Sequence, residues 1–218
     1  MYESFELFQA EALECGNNYY SDLSLQRDKM SAAYKIYRKA KAGTALTDFD
    51  GNPVNFGITI VGRLALRNED GGWIASDESF PSIDEVLKEN LITLDEGNPD
   101  QGSILSAKNW SLLANDSWLL GGIHARTEFH FASPLRWENF WDTPGKRMTI
   151  NAREVIGITA SGYRIIKPYP QLEALAVCAD SGKAAKASLL SYKKSVQKFD
   201  TLDELRRFYE TIPIAARQ

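Results

Sequence analysis

Near Gly43 the apolar residues of this chain change their period from three or four to two, and that change decides the class of fold open to it. Before it, Phe5, Phe8, Ala12 and Cys15 recur at helical spacing and Gly16-Asn17-Asn18 supplies a stop. Met30, Ala33, Tyr34, Tyr37 and Ala40 form a second helical stripe over about 24–42, with Gly43 placed for a C-terminal cap. After it, Ile58, Ile60, Gly62, Leu64 and Leu66 alternate with a face carrying Thr59, Arg63 and Arg67, as in a half-buried strand. Turn sequences at Asp50-Gly51-Asn52 and Glu69-Asp70-Gly71-Gly72 predict an antiparallel meander over 44–49, 54–67 and 72–76.

Further along, Ser82-Ile83-Asp84-Glu85 and Thr201-Leu202-Asp203-Glu204 are capping-box sequences, each expected to open a helix. The first would bury Ile83, Val86 and Leu87, and the second Leu202, Leu205, Phe208 and Tyr209. The apolar residues from Ile104 to Leu120 predict buried helix broken at Gly121-Gly122, and Ser133-Pro134 predicts the start of a helix through Trp141. A helix at 151–161 should end at Gly162, with strands at 163–167, 172–179 and 187–198, the last two flanking an Asp180-Ser181-Gly182 turn. Helices and strands thus come in mixed runs without βαβ alternation. The expected class is α+β, an antiparallel sheet built from hairpins and meanders with packed helices. We read residues 1–218 as one domain, with the loop at 95–103 as the place for any boundary.

A 44% hydrophobic content can bury a core large enough to offset chain entropy without a disulfide or structural metal. Cys15 and Cys178 each lack a neighbouring Cys or His, so no zinc site is expected and both read as reduced thiols. Asp48-Phe49-Asp50-Gly51-Asn52 resembles the start of a calcium loop, but Pro53 stands where such a loop needs glycine. No glycine-rich phosphate cradle, nucleophile elbow or zinc-protease motif occurs, so no cofactor is expected. The N-terminal residues are acidic where a signal peptide would be basic, and the longest uncharged run, Gly51 to Gly62, is 12 residues. A membrane span needs about 20. The expectation is a soluble, cytosolic protein with no membrane association.

Charge is segregated along the chain. Residues 69–100 hold ten acids and one base, whereas Arg27 to Ala42 carries six bases against Asp28, and Lys183 to Arg207 seven bases against three acids. Such a field can steer a partner of opposite sign. The acidic stretch, with Asp77, Glu78, Asp84, Glu85, Glu89, Asp95 and Glu96, also contains Trp73, Phe80 and the loop at 95–103, a mixture suited to binding another protein. The leading expectation is therefore an interaction protein, in type resembling inhibitor or immunity proteins. The basic face of Lys35, Arg38, Lys39 and Lys41 could meet nucleic acid, but its Tyr34 and Tyr37 lie on the apolar stripe, and the overall charge of -4 argues against that partner.

The alternative expectation is catalytic. Read as a strand, Ile123 to Phe131 places His124, Arg126, Glu128 and His130 on one face, and these are the chain's only two histidines. One imidazole could act as general base while Arg126 holds a phosphate or carboxylate and Glu128 assists, giving a small hydrolase or transferase for an anionic substrate. This reading requires that the preceding helix stop at Gly121-Gly122.

Overall fold

The computed structural model describes residues 1–42, 46–48, 53–54, 66–67, 73–74, 92–93, 111–131, 135–166, 174–199 and 201–213. Within them the fold is α+β, with seven α-helices and only antiparallel strand pairs. Helix α1 (Phe5–Cys15) starts where the Ser4 hydroxyl accepts from the Leu7 amide, and it buries Phe8, Ala12 and Cys15. It ends at Gly16, whose φ of 77° suits a residue without Cβ. Helix α2 (Arg27–Ala42) buries Met30, Ala33, Ile36 and Tyr37 and leaves Arg27, Lys35 and Arg38 exposed.

Helix α3 (Leu112–Ala125) is central among the described helices. Ser111 caps it, and every residue from Leu113 to His124 is buried. A helix buried on all sides has no solvent face to offer, and α2 and three later helices pack against it. Gly121-Gly122 does not end it, because Gly121 sits where α2 crosses. A Cβ there would lie 2.5 Å from the Tyr37 carbonyl oxygen and 2.6 Å from the Ala40 Cβ. The glycine is a contact point between helices and the helix continues one turn beyond it.

Helix α4 (Ile150–Ala160) begins at a Thr149 cap and also packs on α3. The strand expected at 187–198 is helical instead. Asp180 caps a short α5 (Ser181–Lys186), and Ser188 and Ser191 form a reciprocal cap that opens α6 (Leu189–Val196). Leu189, Tyr192 and Val196 are buried at a spacing of three and four, the period of a helix. The last helix, α7 (Leu202–Glu210), starts at the expected capping box and buries Leu205, but Leu202 is 41% exposed because its position faces away from the core. The helix expected through Trp141 is one 3-10 turn, Trp137–Asn139, followed by a strand.

The strands are short. β1 (Leu46–Asp48) lies between β2 (Pro53–Val54) and β5 (Ile92–Thr93). β3 (Leu66–Arg67) pairs with β4 (Trp73–Ile74), in register Leu66 to Ile74, as the meander requires at its second turn. β7 (Trp141–Asp142) and β8 (Arg147–Met148) form a small ribbon. A second three-stranded sheet carries β10 (Ala174–Cys178) between β6 (Phe129–Phe131) and β9 (Tyr163–Ile166). The central alternation of 58–65, the capping box at 82–85 and the loop at 95–103 lie outside the described residues.

Candidate ligand cleft

In α2, Tyr34, Tyr37, Arg38 and Lys41 fall at positions i, i+3, i+4 and i+7, one face of a helix. Tyr37 turns fully into the core and Tyr34 partly, while Arg38 stays exposed and Lys41 half-buried. Ahead of α1, Tyr2 lays its ring edge-on against Phe8 and Tyr37, at 5.3 and 5.2 Å between centroids. Its hydroxyl accepts from the Leu189 amide at 2.7 Å, so residues 2–3 are held down beside α2. Between them opens a cleft of about 500 Å³, lined by Tyr2, Glu3, Tyr34, Tyr37, Arg38 and Lys41. That volume is in the range of small-molecule sites, roughly 300–1,000 Å³.

The electrostatics of the cleft favour an anion. Among the described residues neither Arg38 nor Lys41 forms an ion pair. Against these two cations stand the Glu3 carboxylate and the negative end of α2, worth about half a charge. The balance is positive, and Arg38 and Lys41, one helical turn apart, can close on the same anionic group.

Behind the cleft floor lies His124. Its Nε2 is 2.8 Å from the Ala187 carbonyl oxygen, which can only accept, so Nε2 carries the proton of the neutral ring. Nδ1 then accepts from the Tyr37 hydroxyl at 2.8 Å, and that hydroxyl accepts from the Tyr2 amide at 3.3 Å. Burial holds the His124 pKa below its ordinary value, opposed by the Ala187 carbonyl, and burial pushes the Tyr37 phenol up to about 12. Both ring nitrogens are thus engaged inside the protein.

The four residues proposed as a catalytic strand face do not form one. His124 belongs to α3, and Arg126 is that helix's C-cap at φ 59°. Glu128 lies in the connection that follows, and only His130 is on a strand, in β6. The helix runs through Gly121-Gly122, and a strand cannot begin before Phe129. The acidic residues Asp77, Glu78, Asp84, Glu85, Glu89, Asp95 and Glu96 lie outside the described residues. Among the described residues no three His, Cys, Asp or Glu side chains come together as metal ligands, and no helix is long and apolar enough to cross a membrane.

A second polar cluster escaped the sequence reading. Asp116 of α3 has no exposed surface and takes a two-pronged ion pair from Arg153 of α4, with Nε to Oδ1 at 2.9 Å and Nη2 to Oδ2. The Tyr20 hydroxyl donates to the same carboxylate at 2.6 Å, and the Arg153 guanidinium lies 4.2 Å from the centre of the Tyr19 ring. The signal was present: an aspartate within an otherwise buried helix must find a cation. With its two charges paired and almost no exposed surface, this cluster ties helices together and offers no binding surface.

Comparison with models of known protein families, with curated proteins and with solved structures gives no match to this chain.

Proposed function

We propose that this protein is a binding protein whose cleft beside α2 takes a small anionic ligand. The observation that carries the reading is the Arg38–Lys41 pair, two cations one turn apart in a molecule-sized cleft and without an ion partner among the described residues. His124 supports binding over catalysis, since its two nitrogens are occupied by Tyr37 and Ala187. The test is titration with sulfate and with inorganic phosphate at low ionic strength, followed by NMR. Amides around Arg38 and Lys41 should shift, and Arg38→Gln with Lys41→Gln should weaken binding about tenfold or more, the loss of roughly 1.4 kcal/mol from charge-assisted contacts. Wild-type protein that ignores both anions, or a double variant that binds as well, would sink the reading.

A second binding role rests on the charge of residues 69–100, ten acids against one base. This supports association with a protein that presents a basic surface, with the acids raising the encounter rate. Changing Asp84, Glu85 and Glu89 to Lys should slow association with a partner captured by the wild type, and unchanged association kinetics would refute this role.

A further inference from the structure

Tyr37 borders the cleft and bonds to a buried imidazole. Its hydroxyl bonds to His124 Nδ1 at 2.8 Å, and the two rings meet edge-on at 5.6 Å. His124 is bonded by Tyr37 of α2 and by the Ala187 carbonyl at the α5–α6 junction, and the charges that act on it are those of Lys41 on α2, Glu11 on α1 and the amino group of residue 1. Lys41 and that amino group oppose a further positive charge on the imidazole, while Glu11 favours it. Lys41 is also one of the two cations of the cleft.

We infer that His124 is a proton-linked sensor of the cleft: an anion held at Lys41 and a proton on His124 stabilise each other. The inference rests on the anion-binding reading and names its regulation. An anion at Lys41 cancels the charge that opposes protonation, and burial of the imidazole limits the screening of this effect by solvent. On protonation Nδ1 turns from acceptor to donor. Tyr37, which already accepts from the Tyr2 amide, takes the new bond on its second lone pair and moves its own hydrogen off the imidazole. The Nε2 bond to Ala187 is unchanged in sense. Acid therefore strengthens anion binding, and bound anion strengthens proton binding.

The experiment follows the imidazole signals of the full chain by NMR from neutral pH downward, in sulfate and in chloride of equal ionic strength. Sulfate stays a dianion over the range, and a His130→Gln variant leaves a single imidazole and so assigns His124. Sulfate should raise the His124 midpoint by about 0.5, which by reciprocity means about threefold tighter sulfate binding below the midpoint than above it. The His124→Gln variant should bind sulfate with no such dependence on pH. If sulfate shifts the amides around Arg38 and Lys41 but leaves the His124 midpoint where chloride has it, the inference fails and the anion-binding reading stands. A His124 that stays neutral in both salts down to acid unfolding also overturns the inference. If sulfate shifts nothing, both fall together.

Discussion

Asp116 and Arg153 show what one buried charge demands of its neighbours. A carboxylate with no exposed surface is tolerable only because a guanidinium meets both its oxygens and the Tyr20 hydroxyl adds a third bond. Removing the cation alone leaves the carboxylate charged and unmatched. Arg153→Met should therefore cost about 3–5 kcal/mol of unfolding free energy, read by urea denaturation. The double variant Asp116→Asn with Arg153→Met should recover much of that loss, since no charge remains buried. Equal destabilisation by the single and double variants would show that the cost lies in lost packing around Tyr19 and Tyr192. The sequence made the Asp legible as a buried anomaly but not its partner, because Arg153 is 37 residues away and only the packing of α4 on α3 brings them together.

At the scale of elements, the α2–α3 crossing is set by Gly121. A methyl group there would meet the backbone of Tyr37 and the side chain of Ala40, atoms that cannot rotate aside. Alanine would favour α3 by about 1 kcal/mol of helix propensity, but forcing two packed helices apart costs roughly 1–3 kcal/mol. We expect Gly121→Ala to lower the melting temperature and to weaken sulfate binding, because the displaced turn carries Tyr37 and Lys41. A variant as stable as wild type, with unchanged sulfate affinity, would show that the helices separate freely. The same glycine explains the largest error of the sequence reading. A Gly-Gly pair is a stop signal in a solvated helix, yet inside a core it marks close approach, and the two uses look alike in one dimension. With the helix extended by that one turn, His124 left the supposed strand. At 187–198 the signal was readable, since Leu189, Tyr192 and Val196 keep helical spacing, and the strand expected there passed over it. The helices α1, α2, α4 and α7 were legible because each combines a cap or stop with a clear apolar stripe.

At the scale of the whole molecule, the α+β class followed from mixed runs of helices and strands without βαβ alternation, whereas the cleft did not. Its cations were visible as a basic helix face, but its other wall is Tyr2 and Glu3, held beside α2 by bonds from a segment nearly the length of the chain away. Those bonds form a seam. Leu189 donates to Tyr2 across 187 residues, Leu190 donates to Glu11, and the Lys193 ammonium donates to the Cys15 carbonyl at 2.8 Å. During synthesis at about 5–20 residues per second, α1 leaves the ribosome roughly 10–40 s before α6 exists to receive it. For that interval the residues that face α6 have no partner within the chain. The seam closes only once α6 has been made, so one wall of the cleft waits on a segment 187 residues further along the chain.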